Sequence, residues 1–464
     1  MLKNFLLLFL ALRAADLLNL LGGTWLVPKF VAPEDLGAVL PLTTLATLLA
    51  IPLYAVAMTA LRESSRLRSL KEDEASPASE RDGQIRSFVR GVFAASGVAA
   101  VIALALAAAL LPRYIGRANV SDSLSGYLAV AAALLGCVSP VYLDQLQAAK
   151  RFGAVSVIEI SAAALRLAVM AALMPIRALT GYFAGGVTKT LVQILGPLVA
   201  LCRDGQSVPS GDRGRGSYWT HDNILRLLKT FLLLLPYLWL PLQVSFMEND
   251  LVRTLLPTAD SAGYYMATRI SDLMNYITFP ILFVMFPYVT DRASRGESYD
   301  DLVVKSIGVI VAVSIVAVIV TSFCGERLIS LLPNGENYTA YAKHLFMLIL
   351  FMGCGAAQNI ATNAEVAAGR FSFLLWFIPV NGFYLYFLPK LNAYKVAEYS
   401  EPLTLENLTG LFFLFAFIRF TLALLVKGLS QMLSDAPDTV KGSRHNHKAA
   451  ASGPKQQENG KTEP

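Results

Sequence analysis

The chain has 464 residues, of which 55% are hydrophobic and only 16% charged, with four cysteines, four histidines and a formal net charge of +6. Soluble globular domains carry about a quarter charged residues, so this composition excludes an ordinary soluble protein and, with a mean hydropathy of +0.53, indicates a membrane protein. The basic residues lie in loops between apolar stretches and not on one folded face, which excludes nucleic acid as a partner.

In chain order, the first 27 residues, MLKNFLLLFLALRAADLLNLLGGTWLV, have the outline of a signal peptide. Arg13 and Asp16 interrupt the apolar region and no small-residue cleavage site follows cleanly, so the stretch reads as a retained first span. A span needs roughly 20 apolar residues. Further spans are expected at 36–61, 88–111, 127–148, 154–173, 182–201, 224–246, 262–288, 303–323, 340–362, 371–388 and 408–426, twelve in all. The expected class is an all-α polytopic membrane protein. Residues 1–202 form one six-helix lobe and 222–433 a second; the Gly-, Ser- and Pro-rich segment 203–221 is a cytoplasmic linker, and 434–464 is a disordered tail.

Lys and Arg in the loops set the orientation. Seventeen fall on one side, including Arg62, Arg66, Arg68 and Lys71, against eight on the other, including Lys29, Arg113 and Arg177. Both termini are therefore expected in the cytoplasm, in a multi-pass protein of a bacterial cytoplasmic (inner) membrane.

Two junctions repeat. QAAKRFGAVSVIEI follows the fourth span and EVAAGRFSFLLWFI the tenth; Asp35-Leu36-Gly37 opens the second span as Ser261-Ala262-Gly263 opens the eighth. Halves of six spans share one topology, as in transporters built from parallel repeats.

The residues from 262 to 293, AGYYMATRISDLMNYITFPILFVMFPYVTDRA, hold most of the unusual chemistry. At helical period Met266, Ile270, Met274, Ile277 and Ile281 share one face, suited to lipid or a neighbouring helix. Tyr265, Thr268, Arg269, Asp272, Asn275 and Tyr276 share the other. A charge at membrane depth costs roughly 2.5–3.5 kcal/mol on insertion scales, so the polar face is expected to look onto protein or a watery cavity. Arg13 and Asp16 repeat the three-residue spacing of Arg269 and Asp272, which lets the two charges share a face and neutralise each other. Such a pair is either purely structural or a cavity lining that offers guanidinium forks to an anionic substrate. Glu159, Arg166, Lys189 and Arg419 are further intramembrane charges, serving as secondary site candidates or as ties between helices. Pro236, Pro241, Pro280 and Pro287 are expected to bend the seventh and eighth spans. Gln243, Glu248, Asn249 and Asp250 read as a helix end at the water interface, with a cation site as the alternative.

No phosphate loop, nucleophile with a base, or histidine cluster occurs, so no cofactor and no metal are expected, and the chain is not read as an enzyme. Gly263-Tyr264-Tyr265 with Arg269, then Phe286-Pro287 and Asp291-Arg292, resembles the eighth span of polysaccharide-exporting flippases. These belong to the multidrug/oligosaccharidyl-lipid/polysaccharide (MOP) superfamily. The loop Leu332-Pro333-Asn334-Gly335-Glu336-Asn337-Tyr338, the junctions at 149–153 and 367–371, and Asn249-Asp250 are also similar to that family. The resemblance covers residues 1–430. It implies two six-helix lobes around a central cavity that opens alternately to each side, and a substrate built as an oligosaccharide on a polyprenyl pyrophosphate. It further implies cavity arginines at Arg13 and Arg269, since related lipid II flippases carry arginines in those spans. The expected partners are the lipid-linked oligosaccharide, membrane lipids, and glycosyltransferases or a polymerase; the driving force is H+, Na+ or the membrane potential. Two features depart from the family: twelve spans where lipid II flippases have fourteen, and a long polar loop at 390–407. A multidrug cation exporter of the same superfamily, a membrane-embedded enzyme of polymer assembly and a non-transporting scaffold are the alternatives.

Overall fold

The computed structural model describes residues 13–73, 78–117, 122–148, 151–203, 218–294, 297–397 and 404–434. Most of the linker and the tail expected from sequence lie outside these residues. Among the described residues the secondary structure is helical, with no strand. Helix α1 spans 13–30, with a π-helical turn at Gly22–Leu26 and a final turn at Val27–Phe30. A short helix, Pro33–Leu36, opens on a proline, whose missing N–H costs nothing at a first helical position. Then come α2 (Val39–Asp73), α3 (Ala78–Arg117), α4 (Ser123–Ala148), α5 (Phe152–Leu173) and α6 (Ala178–Arg203). The second half runs through α7 (His221–Leu255), α8 in two segments (Thr258–Ser271 and Leu273–Ser294) and α9 (Asp300–Ser330). A 3₁₀ turn, Gly335–His344, leads into α10 (Leu345–Ala367), followed by α11 (Leu374–Ala397) and α12 (Leu405–Ser434).

Among the described residues twelve longer helices result, and eight stretches are long and apolar enough to cross a membrane by length and composition. Local chemistry sets their ends. The Thr220 hydroxyl accepts from the Asn223 N–H at the start of α7, and Asp122 accepts from the Leu124 N–H at the start of α4.

The packing repeats between halves. In the first lobe α2 packs on α4, α4 on α6, α3 on α4, and α1 on α5; in the second α8 packs on α10, α10 on α12, α9 on α10, and α7 on α11. The repeated junctions also share a cap. The Arg151 N–H returns to the Leu146 carbonyl at 2.9 Å and the Arg370 N–H to the Glu365 carbonyl at 2.8 Å, each a bond back over five residues. In the second junction Gly369 takes the left-handed conformation, φ 73°, that this helix stop requires.

The lobes touch at both ends of the bundle. At one end the largest apolar core runs through both lobes, joining Val27, Leu36 and Met170 to Leu251, Tyr264 and Leu345. There Asn334 Nδ2 donates to the Pro28 carbonyl at 2.8 Å, and Gly37 lies so close to Ser261 that a Cβ would fall 2.0 Å from its Oγ. At the other end Glu63 of α2 pairs with Arg226 of α7 at 2.8 Å, and the Trp219 indole N–H donates to the Ser87 carbonyl at 3.0 Å.

The eighth span carries a break that its prolines do not mark, and its apolar face meets neighbouring helices. Its helix continues past positions 280 and 287, and the break falls at Asp272, beside the ion pair. Met266 and Met274 face protein, and residues 261–268 are buried all round, so the opening segment is an internal element with no lipid face. Helix α7 likewise stays continuous through Pro236 and Pro241.

Candidate functional site

A cavity of about 440 Å³ lies between the lobes. Its walls come from α2 (Thr43, Thr44), α6 (Tyr182), α7 (Ser245, Glu248, Asn249), α8 (Thr268, Arg269, Asp272, Asn275), α10 (Gln358, Asn359) and α12 (Arg419).

On the α8 wall the three-residue spacing closes as a salt bridge, Arg269 Nη2 to Asp272 Oδ2 at 2.7 Å, with about a fifth of each side chain exposed. The guanidinium stacks over the Tyr265 ring, 5.0 Å from its centroid. Asn275 Nδ2 reaches Asp272 Oδ1 at 3.4 Å. The break in α8 at Asp272 ends one half-helix beside the charge pair. Tyr265 does not reach the cavity: it is fully buried, and its hydroxyl donates to the Gly23 carbonyl at 3.0 Å.

Behind this wall, α1 carries the matching pair. Arg13 Nη1 contacts Asp16 Oδ2 at 3.0 Å and also donates to the Tyr276 carbonyl of α8 at 3.2 Å. Arg13 thus ties α1 to α8 across the lobe boundary, four residues beyond Asp272. Neither Arg13, Asp16 nor the Tyr276 side chain lines the cavity itself.

Glu159 and Arg166 bond to different helices. Glu159 accepts from Gln193 Nε2 of α6 at 3.0 and 3.1 Å; Arg166 donates to Asn19 Oδ1 of α1 at 2.8 Å and lies over the Tyr182 ring. Lys189 sits within electrostatic range of Asp16, Glu159 and Arg166. Sequence reasoning raised these residues one by one; the fold gathers them with Arg13 and Asp16 into one polar cluster among α1, α5 and α6.

Arg419 has a partner set that no local pattern in the sequence announces. Its Nη1 donates to Asn381 Oδ1 at 3.1 Å, its guanidinium lies over the Phe415 ring, and its charge faces Glu248, which accepts from the Tyr384 hydroxyl at 3.1 Å. Glu248, Asn249 and Asp250 are therefore not a wetted helix end. They are buried, with 3%, 8% and 8% exposure, and α7 continues beyond them to Leu255. The amides Gln358 and Asn359 were likewise hidden in an otherwise apolar run.

No family profile and no curated protein matches the sequence. Solved structures do match in shape. An inward-facing multidrug resistance MATE family transporter of the MOP superfamily superposes with a TM-score of 0.63 at 14% identity, over 91% of this chain and 96% of that one. The Vibrio cholerae MATE transporter VcmN, as its D35N mutant, gives 0.61 at 12% identity over 93% and 96%. An outward-facing MATE family transporter of the superfamily gives 0.51 at 13% identity over 93% and 95%. At these identities the likeness is one of architecture: the chain has the two-lobed, twelve-helix fold of the solved MATE transporters.

Proposed function

We propose that the chain is a MOP-superfamily transporter that moves an oligosaccharide on a polyprenyl pyrophosphate from the inner to the outer leaflet of a bacterial cytoplasmic membrane. It works by alternating access, in the service of surface-polymer synthesis. The observation that carries this reading is the charge gathered on the α8 wall of the cavity and in the first-lobe cluster behind it. Arg13, Arg166, Lys189 and Arg269 stand against Asp16, Glu159 and Asp272, and Glu248 is matched by Arg419. The cavity lining itself is balanced, Arg269 against Asp272 and Arg419 against Glu248, and the one spare positive charge lies behind it in the cluster among α1, α5 and α6; the planar guanidinium forks of Arg269 and of that cluster suit phosphate oxygens.

Membrane lipids surround the protein, glycosyltransferases or a polymerase act on either side of the step, and the driving force is H+, Na+ or the membrane potential. The loop charges put both termini in the cytoplasm. The second reading is export of organic cations, favoured by fold likeness to structures described as multidrug transporters.

Reconstituted vesicles decide between them. The first reading expects protein-dependent movement of a fluorescent polyprenyl-pyrophosphate sugar across the bilayer, lost in Arg269→Ala, and no efflux of ethidium. Ethidium efflux without lipid movement would replace it with the second.

A further inference from the structure

The cavity has a second wall whose chemistry is neither charged nor apolar. Asn249 of α7 and Gln358 of α10 are 8% and 4% exposed, and both line the cavity together with Asn359. None of the three amides makes a side-chain hydrogen bond to another described residue, and none is sealed off from the cavity. Amide groups that reach the cavity with no protein partner are free to bond a ligand there in place of water. The carboxylate on this wall, Glu248, is matched by Arg419 and Tyr384 and offers no spare charge for a cation. Primary amides supply donors and acceptors side by side, as neighbouring hydroxyls on a sugar ring do. Phe351 and Met352 add an apolar surface beside them, suited to the C–H face of such a ring.

We infer that Asn249, Gln358 and Asn359 form a subsite for a neutral, polyhydroxylated ring, separate from the anion-binding wall of Arg269. The inference rests on the proposed lipid-linked substrate and adds to it: the pyrophosphate lies on the α8 side and the first sugar on the α7–α10 side. The cavity, about 440 Å³, is at the small end of ligand pockets, roughly 300–1,000 Å³. It therefore reads the ring next to the pyrophosphate and leaves the remainder of the glycan outside.

The test measures binding to the full-length protein in nanodiscs free of sugar detergents, with three probes. These are a polyprenyl pyrophosphate, the same lipid bearing one N-acetylhexosamine, and a neutral alkyl glycoside of one hexose. In the parent protein the glycosylated lipid should bind about tenfold more tightly than the bare one, since one or two net hydrogen bonds of about 1 kcal/mol each are gained. The glycoside should compete with it. The near-isosteric pair Gln358→Met with Asn359→Leu should bring the glycosylated lipid to the level of the bare one and abolish glycoside binding, while bare-lipid affinity stays. Arg269→Ala should weaken both pyrophosphate lipids and spare the glycoside.

Equal binding of the two lipids by the parent protein, or a sugar increment that survives in the pair, overturns the subsite. If neither pyrophosphate lipid binds but the glycoside binds in a Gln358-dependent way, the subsite stands and the pyrophosphate reading falls. If none of the three probes binds, both fall. Should the pair fail to fold by melting and gel filtration, Asn359→Leu alone, at a cavity-exposed position, carries the same comparison with a smaller loss of about threefold to fivefold.

Discussion

The Tyr265 hydroxyl donates to the Gly23 carbonyl at 3.0 Å, and through it the half-helix opening α8 is fastened to the π-helical turn of α1. The tie crosses the lobe boundary at the end where Asn334 also reaches Pro28. Under alternating access, contacts that fasten the lobes at one end must break for that end to open. Tyr265→Phe keeps the ring under Arg269 and removes only the bond, a net loss of about 1 kcal/mol, or roughly fivefold in the ratio of the two states. A cysteine placed at Ser261 should then react several-fold faster with a membrane-impermeant maleimide. An unchanged rate would show that the bond does not hold this end shut.

Gly37 tests the same boundary by crowding. A Cβ there would fall 2.0 Å from Ser261 Oγ and 2.8 Å from its Cβ, a clash that side-chain rotation alone cannot relieve. Gly37→Ala should therefore destabilise the closed end by about 1–3 kcal/mol, the usual cost of overpacking. Ser261→Gly removes both clashing atoms. The double variant should recover most of the loss, read as thermal melting. Equal loss in the single and double variants would place the strain elsewhere.

What the chain revealed in advance follows from how local each feature is. Arg13 with Asp16 and Arg269 with Asp272 were legible because a three-residue spacing puts both charges on one helix face whatever the surrounding fold. The twin junctions at Arg151 and Arg370 were legible because a helix stop is written in adjacent residues. The placing of Arg419 within electrostatic range of Glu248 was not, because α7 and α12 meet only in the tertiary structure. Asn249 was misjudged for a related reason: beside Glu248 and Asp250 it looks like a solvated helix end, and only the packing of α2, α8, α11 and α12 around α7 makes this stretch internal. The prolines of α8 read as bends, and the break at Asp272 was not legible, because no proline or glycine marks that position in the sequence. Tyr265 was correctly placed beside Arg269, but whether its hydroxyl faced cavity or protein depended on α1.

The Arg269–Asp272 pair separates stability from substrate handling. Both side chains are about four-fifths buried, so removing one partner leaves a charge without its counterion. Arg269→Ala alone should lower the melting temperature markedly, a penalty of about 3–5 kcal/mol, and abolish lipid movement. Arg269→Ala with Asp272→Ala should restore most of the stability and none of the transport. Transport that returns with stability would make the pair structural and remove Arg269 from substrate binding.

The Arg419–Glu248 couple distinguishes the two transport readings from the opposite wall. If Glu248 served as a binding carboxylate for organic cations, Glu248→Gln would abolish their efflux even with Arg419 in place. In the arrangement seen here Glu248 answers Arg419 and Tyr384, and Arg419 also holds Asn381. Glu248→Gln should then leave the guanidinium uncompensated in a buried site and destabilise the fold, as should Arg419→Gln by stranding the carboxylate. Glu248→Gln with Arg419→Gln replaces two opposed charges by two amides and should recover most of the melting temperature. Because the anion-gripping residues lie on other helices, the double variant should also keep polyprenyl-pyrophosphate sugar movement within about threefold of the parent, the scale of one net hydrogen bond. A fully folded double variant that moves no lipid would make this couple part of the transport machinery, and loss of ethidium efflux in Glu248→Gln alone would favour the cation exporter.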